Sequence, residues 1–153
     1  MTTANTPQNT TAAPAQPPIA LVAWGASEAI LRHSQATLAR IDVTQPQWWA
    51  LNNIVRAEHG LTREEIRAVA VPYGMDTRVV VDAADALVHR GWLCIGADDR
   101  LTLTGQGRAG LATAREHMAR ARAEFLGDIT EEEYATSVSV LQRVTANITA
   151  RPA

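Results

Sequence analysis

Apolar positions recur at helical spacing along most of this chain, and the interruptions divide it into six helices and one short hairpin. From Ile19 to about Ile41, the residues Leu21, Trp24, Leu31, Leu38 and Ile41 fall close to one face, with Ala20, Ser27 and Ser34 beside them. That apolar stripe is wider than a lone surface helix needs, which points to packing against a second subunit. Thr44 to His59 reads as a second helix, with Pro46 in its first turn and Gly60 at its end. Trp48, Leu51 and Val55 share one face of it; Trp49, Asn52 and Arg56 lie off that face. In Leu61-Thr62-Arg63-Glu64-Glu65-Ile66, the Thr62 hydroxyl and the Glu65 carboxylate can each satisfy a free backbone N–H, so a third helix starts there.

After the Val71-Pro72-Tyr73-Gly74 break, Asp76 can cap a fourth helix. Its spacing predicts a buried stripe of Val79, Val80, Ala83, Ala84 and Leu87, with Arg78, Val81, Asp82, Asp85 and His89 facing outward. Gly91 ends it, and Trp92–Ile95 and Leu101–Thr104 read as two strands around a tight turn at residues 96–100. Arg108 to Phe125 forms a long helix, with Leu111, Ala114, Met118, Ala121 and Phe125 on one side, broken at Gly127-Asp128. Thr130 and Glu133 make a second capping box before a last helix striped by Tyr134, Val138, Leu141, Val144 and Ile148. The fold class is mainly α with a small β-hairpin wing. Helix, turn, helix, hairpin is the plan of a winged helix-turn-helix, and the outer stripes at both chain ends predict a dimer with interlocked N- and C-terminal helices.

Composition refines this picture. The chain of 153 residues suits one domain, or an extended dimer of such chains. Residues 1–18 carry no charged side chain and are rich in Thr, Ala, Pro, Asn and Gln, so they are expected to be a disordered arm. Residues 19–43 are expected to form an N-terminal dimerisation helix, 44–107 the winged lobe, and 108–153 C-terminal dimerisation helices. Net charge is −2 and every basic residue is Arg, so any affinity for DNA must come from local placement of charge. The single cysteine, Cys94, excludes an internal disulfide, and it is expected to be a small buried side chain of the strand. The apolar run from Ile19 to Ala26 is too short to span a bilayer, and a soluble, cytoplasmic protein without membrane contact is expected.

Several short motifs in fixed order also carry a family resemblance. Trp48 and Leu51 after Thr44-Gln45-Pro46-Gln47, the Leu61-Thr62 helix start, the run Ala86-Leu87-Val88-His89-Arg90-Gly91-Trp92-Leu93, and Leu101-Thr102-Leu103-Thr104-Gly105-Gln106-Gly107 resemble members of the multiple-antibiotic-resistance regulator (MarR) family of winged-helix proteins. The resemblance covers roughly residues 19 to 150. It implies a homodimer, a recognition helix for the major groove of double-stranded DNA, a wing for the minor groove, and a small aromatic effector held between dimer helices and DNA lobe.

Site residues follow from that plan. On the recognition helix Thr77, Arg78, Val81 and Asp82 are the expected DNA contacts, with Arg100 on the wing. Where the resemblance leads one to expect Arg, positions 82 and 86 hold Asp and Ala. The wing is shortened to an Asp99-Arg100 turn, and the helix-turn-helix has about three extra residues around Val71-Pro72-Tyr73. Trp24, His33, Trp49 and Asn52 are the expected ligand-binding residues, because aromatic walls with an imidazole and an amide suit a flat apolar molecule. The leading expectation is a ligand-responsive transcriptional regulator. The alternative is a winged-helix scaffold that has lost DNA and binds or chemically transforms an aromatic molecule, with His33 and His89 as acid-base residues if it is an enzyme. No cofactor is expected, and no close His/Cys spacing suggests a metal.

Overall fold

A computed structural model describes residues 16–150 of the chain. Most of the expected N-terminal arm lies outside them. The order is α1 (Ile19–Ala39), α2 (Gln45–Arg56), α3 (Arg63–Ala70), a 3-10 turn (Val71–Tyr73), α4 (Thr77–His89), β1 (Leu93–Ile95), β2 (Leu101–Leu103), α5 (Gly105–Leu126) and α6 (Glu131–Thr149). Among the described residues no helix is long and apolar enough to cross a membrane.

The helix starts are written into the side chains. Thr62 N donates to Glu65 Oε2 (2.9 Å) while Glu65 N donates to Thr62 Oγ1 (3.2 Å), and Thr130 with Glu133 repeats the arrangement. Thr44 and Gln47 form a third such box at the start of α2, legible as Thr-x-x-Gln. Each cap contributes on the order of 1 kcal/mol. Thr104 caps α5 by accepting from Gly107 N, so that helix begins at Gly105, earlier than the apolar spacing alone suggested.

The core joins α2, α3, α4 and the hairpin. Leu51, Ile54, Ile66, Val80, Leu87, Leu93 and Leu101 are completely or almost completely buried, each burial contributing roughly 1.5–3 kcal/mol. α4 packs against both α2 and α3, which widens its buried arc beyond a single stripe. Val81 is therefore in the core at 6% exposure, whereas Val79 is 47% exposed, the reverse of the expected phase. On α2, likewise, Ile54 occupies the core and Val55 is exposed. Cys94 is exposed, contrary to expectation, because strand alternation turns Leu93 inward and its neighbour out.

β1 and β2 pair antiparallel in the register Leu93↔Leu103, Cys94↔Thr102, Ile95↔Leu101, and Leu61 adds a bridge to Leu101. Gly60 lets that bridge form. Its φ is +73°, and a Cβ there would sit 2.2 Å from the Leu101 carbonyl oxygen. α5 is seated on the root of the hairpin in the same manner, since a Cβ at Gly110 would fall 2.3 Å from the Trp92 ring and one at Gly107 would meet the Trp92 carbonyl.

The chain ends pack differently. In α1 the buried residues are Ser34, Thr37 and Leu38, and the stretch from Ile19 to Leu31 leaves Leu21, Val22, Trp24 and Leu31 exposed. α6 buries no residue at all. It is tied to α5 through Arg122, whose guanidinium donates to both Glu131 oxygens (2.8 and 3.0 Å) and lies 4.8 Å from the Tyr134 ring centroid.

Candidate nucleic-acid interface and ligand clefts

The outward stripe of α4 consists of Arg78, Val79, Asp82, Ala86 and His89, with Asp85 half-buried at its edge. Asp76 starts the helix by accepting from Arg78 N (2.8 Å) and Val79 N (3.5 Å), which leaves the Arg78 side chain projecting at the first turn. Thr77 beside it is half-buried. Three of the four expected DNA residues of α4 thus lie at or near its open face, and Val81 does not. Its place is taken by Val79, two residues earlier.

Much of the lobe's basic charge is engaged internally. Arg63 at the start of α3 donates through Nε (2.9 Å) and an NH2 nitrogen (2.6 Å) to Asp85 Oδ1. Arg67 pairs with Glu64 at 3.2 Å. Arg90 stacks over Trp92 and donates to the Asp42 carbonyl. Within residues 44–105, Arg56 and Arg78 have no hydrogen-bond or ion-pair partner for their guanidinium groups among the described residues.

Arg100, expected at the wing tip, turns inward. It donates to both Glu65 oxygens (2.9 and 3.0 Å) and to the Gly60 carbonyl (3.0 Å), with Asp98 at 3.4 Å. The short turn has no second arginine to spare, so this one staples the hairpin to the first turn of α3. The Thr62 backbone N–H and then Arg100 hold the Glu65 carboxyl below its ordinary value of 4.5. Glu131 beside Arg122 and Glu133 at the Thr130 cap are lowered in the same sense. A group favoured in its charged form by the fold contributes stability above its unfolded pKa and loses it as the pH falls through the lower folded value. Thermal stability should accordingly decline below about pH 4.5, and Glu65→Gln should flatten part of that decline while lowering stability at neutral pH. A melting series from about pH 7 to pH 3 measures it; an unchanged slope in the variant would remove Glu65 from the acid transition.

The four expected ligand residues do not converge. Trp24 is 68% exposed on α1, about two and a half turns before His33. His33 lines a cavity of about 500 Å³ with Ala26, Ile30, Phe125, Ile129 and Tyr134, between α1 and the α5–α6 corner. Its Nε2 approaches Glu124 Oε2 to 3.1 Å without the geometry of a hydrogen bond. Asn52 borders a second cavity, of about 360 Å³, with Trp48, Met118 and Phe125. Trp49 packs on the core from its edge and lines a cleft of about 410 Å³ on the outer side of α2, with Gln45, Trp48, Asn53, Arg56 and Tyr73. Asn52 touches this cleft too. Trp49, Asn52 and Arg56 lie together off the Trp48–Leu51 face of α2, and Tyr73 of the 3-10 turn borders the same cleft. His33 and His89 stand on α1 and α4 with no hydrogen bond between them. Among the described residues no three His, Cys, Asp or Glu side chains converge as a metal site would require.

No family model and no curated protein matches the sequence. Solved structures match in fold. A MarR-family transcriptional regulator from Rhodococcus sp. RHA1 superposes with a TM-score of 0.70 at 19% identity, covering 82% of this chain and 91% of its own. CouR from Rhodococcus jostii RHA1, bound to p-coumaroyl-CoA, gives 0.69 at 19% identity over 82% and 90%. A MarR-family protein from Mycobacterium tuberculosis in complex with DNA gives 0.68 at 19% identity over 84% and 98%. With the helix-turn-helix, the stapled hairpin and the long flanking helices all in the same order, the chain has the winged-helix fold of MarR-family proteins.

Proposed function

We propose that this protein is a dimeric, ligand-responsive transcriptional regulator that binds double-stranded DNA in the cytoplasm. The observation that carries the reading is the open stripe of α4. A helix packed on both α2 and α3 still presents Arg78, Val79, Asp82, Ala86 and His89 to solvent, on the element that this fold lays in a major groove. Thr77, Arg78 and Asp82 are the proposed DNA contacts, joined by Val79 in place of Val81. Arg100 is proposed to hold the wing on α3. Residues 19–43 and 108–153 are proposed to pair two subunits, since both carry apolar surface that the single chain leaves uncovered. Ligand would shift the population between dimers whose recognition helices do and do not match successive grooves. CouR, seen with a thioester ligand, and the mycobacterial protein, seen with DNA, support both halves of the reading by analogy of fold.

A second reading has its own support. Asp82 sits in the middle of the open stripe, Arg63 and Arg100 are engaged by carboxylates, and the net charge is −2. A scaffold that no longer binds DNA but retains a ligand cleft would look the same. A gel shift at low salt with the DNA upstream of the protein's own coding sequence separates the two. Retardation is expected; its absence, with ligand binding intact, would establish the scaffold reading.

A further inference from the structure

Three valines follow one another on α4, and the core takes only two of them. Val80 and Val81 are buried, whereas Val79 is 47% exposed on the open stripe, with Arg78 before it and Asp82 one turn after. The Val79 backbone N–H donates to Asp76 Oδ1, the side chain that caps the helix, so Val79 belongs to the first turn of α4. That turn is the part of a recognition helix that comes closest to base edges. A valine in a helix keeps essentially one χ1 rotamer, so its methyl groups are fixed in space before anything binds.

The other stripe residues limit what the helix can select. Arg78, Asp82, Ala86 and His89 complete the stripe, and it holds no Asn or Gln, so the paired donor and acceptor that recognise adenine are missing. Arg78 can donate to guanine or to a phosphate, and an ionised Asp82 can only accept. Val79 offers a rigid apolar surface. The C5 methyl of thymine is the apolar group that base pairs present in the major groove.

From this we infer that Val79 is a specificity-determining residue that reads the C5 methyl of a thymine in each half-site. The inference rests on the regulator reading and adds to it the chemistry of the base that α4 selects. Contact between the isopropyl group and the methyl takes apolar surface of both out of water, and neither side gives up a hydrogen bond. Cytosine in the same place leaves Val79 facing a bare C5–H, and a purine sets the N7 acceptor against it with no donor. Thymine is thus preferred to cytosine by one methyl group and to a purine by the cost of an unmatched polar edge.

The full chain, used at low salt to enrich duplexes from a random pool, supplies the site for the test. Each thymine of that site is then replaced by deoxyuridine, which removes the methyl and leaves the hydrogen-bonding edge as it was. One position per half-site is expected at which the replacement weakens native binding about fourfold, or about fifteenfold when both half-sites carry it. Val79 lies outside the buried core, so Val79→Ala should keep the native melting temperature. In that variant the position should lose its sensitivity to the methyl, while the salt dependence stays as it was because no phosphate contact is removed. At the same position 5-methylcytosine should bind the native chain more tightly than cytosine does. The inference is overturned if no thymine responds to loss of its methyl, or if the response is as large in Val79→Ala as in the native chain. Either result, from a chain that retards DNA, leaves the regulator reading standing. A chain that enriches and retards no duplex overturns both.

Discussion

Asp82→Arg should turn a weak, shallowly salt-dependent association with DNA into a stronger and steeper one. Asp82 occupies the centre of the open α4 stripe, without a hydrogen bond or ion pair of its own among the described residues, so the substitution disturbs no packing. It replaces a carboxylate that repels phosphate with a guanidinium that can donate to it. Each new phosphate contact adds about 0.9 to the slope of log affinity against log salt, so two subunits gain up to about 1.8. Between 50 and 200 mM salt that difference alone is on the order of a tenfold change in affinity. If Asp82 instead accepts from a cytosine amino group, sequence preference should collapse while general affinity rises, because a good base contact carries roughly 1–3 kcal/mol of discrimination. Two duplexes and a salt series distinguish these results. No retardation by either protein would mean that the lobe does not dock on DNA.

Removing residues 130–153 should cost the protein its soluble, folded state. α6 buries no residue in the single chain, and α1 exposes Leu21, Val22, Trp24 and Leu31. In the proposed dimer, isologous pairing across the subunit boundary would bury both faces at once. Without α6 the α1 face has no cover, and a patch of that size drives aggregation. Light scattering reads the outcome directly; a well-folded monomer after the truncation would refute the dimer assignment. Removing residues 1–17 should change nothing measurable.

The legibility of these features from sequence varied for physical reasons. Capping boxes at Thr62 and Thr130 and the turn glycines at 91 and 127 were readable because each acts within a few residues of itself. The phase of α4 was misread by one position. Val79, Val80 and Val81 are chemically alike, so a run of valines carries no phase; packing against both α2 and α3 decided that Val80 and Val81 go inward. Arg100 looked free in a list of residues, yet Glu65 is thirty-five positions away and waits at the right distance. The ligand residues scattered because Trp24, His33 and Trp49 sit on helices whose facing partners depend on tertiary approach. Arg56 stands one helical heptad from Trp49, and Tyr73 reaches the same cleft from the 3-10 turn.

The seat of α5 on the hairpin has a mechanical consequence. At Gly107 the backbone of α5 lies against the Trp92 carbonyl and at Gly110 against the Trp92 ring, with no side chain of the helix in between. So close a seat favours movement of the wing root and α5 together, like a key on its shaft. Any change in the distance between two recognition helices has then to be absorbed elsewhere. Among the described residues outside the lobe, Gly127 at the α5–α6 corner (φ +55°) and Asp42 between α1 and α2 (φ +52°) hold positive φ. A side chain added at Gly110 would collide with the Trp92 ring and push α5 off the root of the wing.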